Sequence, residues 1–148
     1  MKKLAFALAL GLTGGPVMAA PLCDDLGFAG LLARCNRGEP IVLTLASGQP
    51  LLDGEQPVEL QSGAYYVLDM TADGSAELAL VGPEFFRAIW INEVVINDIE
   101  VRAMALDSLE FDAAGQVRLS FIAIKPGTYD LRIPGTTSDN QRVQIAIR

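Results

Sequence analysis

The chain has 148 residues, of which 51% are apolar and 20% are charged, and its formal net charge is −7. This composition predicts one globular domain, with or without an export signal, and excludes a disordered or collagen-like chain. The sequence contains no histidine, which excludes Ser–His–Asp and Cys–His catalysis, imidazole acid–base chemistry and histidine-ligated zinc or copper sites. The acidic balance argues against nucleic acid and anionic membranes as partners.

The first 19 residues have the pattern of a cleaved secretory signal peptide. Lys2 and Lys3 precede an apolar run over 4–12, which is too short for a permanent membrane anchor. Val17 and Ala19 are the small residues that precede a predicted cut after Ala19. The sequence therefore predicts export to a bacterial periplasm, with no integral membrane segment after cleavage. Removing the two lysines leaves nine basic residues against 18 acidic ones, a net charge of −9 that favours a basic partner.

Residues 20–40 are predicted to form an N-terminal segment that a disulfide closes. Cys23 and Cys35 are the only cysteines, and an isolated pair in an oxidising compartment is usually a disulfide. A straight helix would separate positions twelve apart by about 18 Å, beyond disulfide reach. The short helical segment between the cysteines must therefore turn, at Gly27 or Gly30. The alternative is a pair of free thiols with a redox or copper(I)-binding role.

From residue 41 onward the apolar residues recur with a period of two, which is typical of strands with one buried face. The predicted strands cover residues 41–45, 57–61, 65–71, 76–81, 90–96, 99–102, 109–111, 117–124, 128–133 and 142–148. Hairpin turns are predicted at 72–75, 97–98 and 112–115, and a short helix at 83–88. This pattern predicts a single all-β domain over 41–148, a two-sheet antiparallel β-sandwich.

Two stretches carry a more specific resemblance. Residues 109–135 read LEFDAAGQVRLSFIAIKPGTYDLRIPG, and residues 57–74 read PVELQSGAYYVLDMTADG. Both are similar to the cupredoxins, the fold of plastocyanin and azurin. The resemblance implies a Greek-key β-sandwich of the cupredoxin type over 41–148.

The resemblance also implies where the ligands of a type 1 copper ion would lie. The corresponding positions are Leu78, Leu131 or Arg132, and Thr136 or Thr137. None of these residues is the histidine or cysteine that such a site needs, and the terminal loop contains no methionine. The expectation is a copper-free domain with no metal and no cofactor.

The segment 82–104 departs from the cupredoxin pattern because it concentrates aromatic residues. Phe85, Phe86 and Trp90 surround Arg87, and aromatic residues and arginine dominate binding hot spots. The cluster is therefore a candidate partner-binding patch. The alternative is that the aromatic side chains fill the core of the sandwich.

These observations favour a non-enzymatic periplasmic binding or accessory protein that contacts another protein. No nucleophile motif, phosphate-binding loop or paired-carboxylate motif points to catalysis. The alternative function is copper handling or electron transfer without histidine, through Cys23, Cys35, Met70 or Met104.

Overall fold

The computed structural model describes residues 20–148, so the predicted signal peptide and its cut after Ala19 lie outside the described residues. Ten strands follow one another along the chain: β1 (Ile41–Leu45), β2 (Val58–Leu60), β3 (Tyr65–Ala72), β4 (Leu78–Val81), β5 (Ile89–Ile96), β6 (Ile99–Val101), β7 (Ser108–Phe111), β8 (Gly115–Ala123), β9 (Gly127–Arg132) and β10 (Arg142–Ile147). One short helix, α1 (Pro83–Phe86), precedes β5, and 3-10 turns cover Gly27–Leu32, Arg34–Asn36 and Asp139–Gln141. Within the described part of the chain no helix is long and apolar enough to cross a bilayer.

The strands form two five-stranded sheets that pack face to face. The order is β1-β3-β8-β5-β6 in the first sheet and β2-β10-β9-β4-β7 in the second. Alternate residues of each strand point between the sheets, as on β8, where Val117, Leu119 and Phe121 are buried in the shared core. The predicted all-β sandwich is confirmed.

The sheets are mixed, so the prediction of purely antiparallel sheets is wrong at two edges. β1 runs parallel to β3, with Ile41 opposite Leu68, and β2 runs parallel to β10, with Ile145 opposite Val58. The chain passes from β1 in the first sheet to β2 in the second before it returns at β3. Two parallel neighbours are joined by a crossover and not by a hairpin turn. The turn residues in the sequence therefore did not predict these two parallel pairings.

Two of the three predicted hairpins are connections between sheets. The turn at 72–75 joins β3 to β4, and the turn at 112–115 joins β7 to β8, and in both cases the two strands belong to different sheets. A turn sequence favours a reversal of the chain but does not choose the pairing partner. Here the reversal carries the apolar face of the second strand across to the opposite side of the core. The hairpin at 97–98 is confirmed, because β5 pairs with β6 around it.

The N-terminal segment contains the predicted disulfide, with the Cα atoms of Cys23 and Cys35 5.8 Å apart. Its helical part is a 3-10 turn that breaks at Gly30, whose φ of 55° and ψ of −137° are non-helical. Asn36 is buried and ties the segment to the sandwich. Its Nδ2 donates to the carbonyls of Leu31 (2.8 Å) and Gly63 (2.9 Å), and its Oδ1 accepts from the amide of Leu22 (2.7 Å). These hydrogen bonds hold the N-terminal segment against the sandwich.

Candidate functional site

The aromatic cluster predicted as a patch divides between the core and the surface. Phe85 and Phe86 on α1 are buried, and the Phe85 ring lies edge-on to Phe121 with 5.5 Å between the ring centroids. The alternative interpretation, that these aromatic side chains fill the core, is the one that fits these two residues. Arg87 and Trp90 are exposed, so the partner-binding prediction stays open for them alone.

Trp90 lies on the outer face of the first sheet because of the alternation along β5. It is opposite Ile122 of β8, which is opposite Tyr65 of β3, and these three side chains form one row across the sheet. Tyr65 and Ile122 are buried, and the guanidinium of Arg37 lies over the Tyr65 ring, 4.7 Å from its centroid. Trp90 continues this row into solvent and is 50% exposed.

A β-bulge at Asn92 shapes the surface beside Trp90. Ile91 pairs with Phe121 and Glu93 pairs with Ser120, so Asn92 is the extra residue of β5. Its Nδ2 donates to the Oγ of the buried Ser120 at 3.0 Å. The bulge is therefore fixed to the neighbouring strand by its own side chain.

The part of β5 that leads up to the bulge and the segment after β6 enclose a shallow groove. Trp90, Ile91, Asn92, Arg102, Ala103 and Met104 line it. Met104 is fully exposed at its rim. We call the side chains of Trp90, Asn92, Arg102 and Met104 the Trp90 surface.

Arg102 provides most of the polar contacts of the groove. Its guanidinium bonds the carboxylates of Glu93 (2.9 Å) and Glu100 (3.1 Å) and donates to the Asn92 carbonyl at 3.2 Å. The side chains of Arg102 and Glu100 are each more than half exposed, so water screens this ion pair and it contributes little to stability. The Glu93 side chain is only 25% exposed, and both carboxylates contact the same guanidinium. Their effect is to orient the guanidinium beside the bulge.

The β5–β6 hairpin ends in a two-residue turn whose conformation the sequence explains. Asn97 and Asp98 have φ values of 48° and 65°, the left-handed conformation that both positions of a type I′ turn require. Asparagine and aspartate adopt it more readily than other residues with side chains. Beyond the turn, Ile99 is 66% exposed and Val101 is 42% exposed.

Sequence reasoning missed Ile99, Val101 and Met104 as surface residues. The alternation Ile99, Glu100, Val101 predicts a strand with one apolar face, and such a face is normally buried. The signal in the sequence is the shortness of the alternation, which covers only 99–102 before Ala103, Met104 and Ala105 interrupt it; in the structure only three of these residues pair with β5. A strand this short is typical of a sheet edge.

Two other surface features were not singled out from the sequence. Phe28 projects fully into solvent from the loop that the disulfide closes. Elsewhere, the exposed carboxylates of Glu77, Glu110 and Asp112 offer oxygen atoms within 4.8 Å of one another. Exposed acidic groups are common without a bound ion, so this cluster defines no metal site.

Asp73 lies at the turn between β3 and β4, and its carboxyl group is perturbed. Hydrogen bonds from the Ser75 hydroxyl and then from the Ser75 amide, which lies 2.8 Å from Asp73 Oδ1, hold the pKa of Asp73 below its ordinary value. The Ser75 hydroxyl oxygen also accepts from the Ser47 amide at 2.8 Å. Asp73 thereby belongs to the turn that lies beside the end of β1.

The residues at the expected copper positions do not fit a type 1 copper ion. Leu78 and Leu131 are aliphatic, and the chain has no histidine to replace them. The copper(I) alternative loses its thiolates because Cys23 and Cys35 form a disulfide. Of its two thioethers, Met70 is fully buried and Met104 fully exposed, so the fold does not bring them together.

Comparison with known proteins places the fold. No protein-family model and no curated protein sequence matches the chain. Among solved structures, it resembles a blue copper oxidase from Nitrosomonas europaea, with a TM-score of 0.53 and 12% identity over 73% of this chain and 43% of that one. It also resembles a laccase-like multicopper oxidase from an Ochrobactrum species, with a TM-score of 0.52 and 10% identity over 84% of this chain and 33% of that one.

These likenesses define a class of fold. The protein is a cupredoxin-like β-sandwich, as the resemblance of its sequence implied. The chain spans less than half the length of either oxidase chain. At such low identity the likeness extends to the fold and not to the activity.

Proposed function

We propose that this cupredoxin-like domain is a non-enzymatic accessory protein that acts in the periplasm by binding another polypeptide through the Trp90 surface. The observation that carries the proposal is that Trp90, the exposed last residue of the row across the first sheet, lies beside a groove. That groove has a fully exposed methionine and an oriented arginine. Tryptophan, methionine and arginine are the residue types enriched at protein interfaces. A disulfide fits an exported protein.

The rigidity of the Trp90 surface supports the same proposal. Trp90 lies on a strand that pairs along its length with β8, and the Asn92–Ser120 hydrogen bond fixes the bulge beside it. A side chain held in place before binding loses less conformational entropy on association than one on a mobile loop. The surface can therefore present a preformed aromatic anchor.

The test is native mass spectrometry of the untagged protein, isolated gently from its own periplasm. A second polypeptide should accompany the wild type, and Trp90→Ala should weaken the complex about tenfold or more. The matched control is Val42→Ala, because Val42 is an exposed aliphatic residue at the opposite edge of the same sheet. Both variants should unfold at the temperature of the wild type.

Two results would contradict the proposal. A polypeptide that binds Trp90→Ala as tightly as the wild type would show that the Trp90 surface is not the interface. A monomer with free thiols and bound copper would favour copper handling instead. The same spectrum reports the predicted cut after Ala19 as a mass difference.

A further inference from the structure

We infer that the free edge of β6 binds an extended segment of the partner, which adds to the first sheet as a further strand and alternates apolar with basic residues. The inference rests on the proposed function and specifies how the partner is recognised. β6 lies directly beside the Trp90 surface, since Arg102 and Met104 follow it in the chain. One partner segment along β6 would therefore run toward Trp90.

The other three edges of the sandwich are protected in ways that β6 is not. At β1, the Thr44 amide donates to the Leu51 carbonyl at 2.9 Å, so a loop occupies the edge. At β2, Pro57 immediately precedes the strand, and proline interrupts edge pairing. At β7, Phe111 is buried and Leu109 is largely buried, so this edge offers an added strand no exposed apolar side chain. Among the described residues, no backbone group outside β5 pairs with Ile99–Val101.

At the central residue of β6, Glu100, the backbone hydrogen-bonding groups are free to pair with an added strand. In a hairpin with a two-residue turn, the residues that flank the turn, here Ile96 and Ile99, form a hydrogen-bonded pair. The next pair, Val95 and Glu100, is then a non-hydrogen-bonded pair. The N–H and C=O of Glu100 therefore point away from β5, toward an added strand.

The side chains of β6 continue the apolar inner face of the sheet. Val101 is opposite the buried Val94, and Ile99 is opposite Ile96, so all four lie on the same face as the core. Ile99 and Val101 nevertheless remain 66% and 42% exposed. Apolar residues at alternate positions of an added strand would cover them and extend the core by one strand.

The charges near β6 select a basic segment and disfavour a second copy of this chain. Glu93, Asp98 and Glu100 contribute three carboxylates to the hairpin, against the single guanidinium of Arg102. Lysine or arginine at the intervening positions of an added strand would face Glu100 on the outer side. A second copy carries the same excess of acidic over basic residues and would be repelled.

The first experiment is a titration of the isotope-labelled protein with a short synthetic peptide that alternates lysine and valine. NMR should show shifts confined to β6 and the Trp90 surface, and the Glu100 amide should exchange with solvent more slowly in the complex. A peptide that alternates glutamate and valine is the matched control and should not bind. Shifts at the Phe28 loop, or binding of both peptides alike, would overturn the inference.

The second experiment separates the backbone of Glu100 from its charge. Glu100→Pro removes the outward N–H, whereas the matched Glu100→Ala keeps it and removes only the carboxylate. Losing that one hydrogen bond should weaken peptide binding about three- to tenfold relative to Glu100→Ala. Because Glu100 is not hydrogen-bonded to β5, exchange protection of the β5–β6 amides should survive in both variants. Equal affinities of the two folded variants would overturn strand addition.

The native partner distinguishes a failure of this inference from a failure of the proposed function. Suppose that the partner no longer binds Trp90→Ala but binds Glu100→Pro with the same affinity as Glu100→Ala. The proposed function then stands, and strand addition is overturned. If no polypeptide accompanies the wild type, the proposed function fails, and the peptide titration still decides whether the edge accepts a strand.

Discussion

The two edges of the first sheet differ in how they meet solvent. At β1, the loop 46–51 lies along the strand and buries Leu51 completely. Gln141 fixes that loop, because its Nε2 donates to the carbonyls of Ala46 (3.2 Å) and Gln49 (3.1 Å). At β6, the described part of the chain supplies no such cover, and Ile99 is mostly exposed.

This difference shows which edge is part of the folded core and which is free to bind. An open edge with apolar side chains is a liability for association. A buried loop closes the β1 edge, whereas β6 is connected to its sheet only by a two-residue turn. A further strand could therefore pair with β6 without displacing an existing contact. We therefore expect mutations at the β1 edge to change stability and mutations at the β6 edge to change binding.

The largest effect is expected from Leu51→Ala at the closed edge. Leu51 is fully buried, so the variant should lose about 2–5 kcal/mol in free energy of unfolding. Ile99→Ala at the open edge should lose no more than about 0.5 kcal/mol. Chemical denaturation measures both. Equal losses would show that the two edges are equally buried in solution.

The next effect is expected from Gln141→Ala, which leaves the Ala46 and Gln49 carbonyls without their partner. Since Gln141 is buried, the free energy of unfolding should fall by about 1–3 kcal/mol. Gln116→Ala is the matched control, because Gln116 is exposed and bonds only Thr71, at 3.4 Å. A control that destabilised the protein as much would contradict the role assigned to Gln141.

At the open edge, Asn97→Ala tests whether the turn alone holds β6. A left-handed φ of 48° is unfavourable for alanine, so the variant should lose about 1 kcal/mol. Asn97→Gly tolerates this φ and serves as the control. Hydrogen exchange should show the loss at the β5–β6 amides, while the Thr44 amide at the closed edge stays protected.

The smallest effect is the pH dependence of the turn beside β1. The pKa of Asp73 is lower in the folded protein than its ordinary value of 3.8, so its ionised form stabilises the fold above that pH. This contribution should disappear as the pH falls through the folded-state pKa. Comparison of the wild type with Asp73→Asn should therefore show a stability difference at pH 7 that shrinks toward pH 3. A difference that grew in acid would contradict the assignment.

Local patterns in the sequence predicted much of the fold but little of the site. The alternation along β8 and the Asn97–Asp98 turn are local properties, and both are confirmed by the structure. The turns at 72–75 and 112–115 resemble hairpins equally well, yet they connect the two sheets. Pairing between strands far apart in sequence depends on burying both apolar faces, which no local pattern encodes.

The aromatic segment shows the same limit at the level of single residues. Phe85 and Trp90 are five positions apart and both are aromatic, but one lies in the core and the other is half exposed. The difference arises because α1 places Phe85 against Phe121, while Trp90 points outward from β5. Only the position of each residue in the packed sandwich separates an interior aromatic from a candidate anchor.

The sequence by itself determined the all-β class, the disulfide pair, the hairpin at 97–98 and the lack of histidine ligands. Each of these depends on residue identity, on alternation or on turn chemistry within a few positions. The tertiary structure alone decided that β1 is a covered edge and β6 an open one, and that Ile99 and Val101 remain exposed. Edges are defined by what lies beyond a strand, and that is settled only when the two sheets pack together.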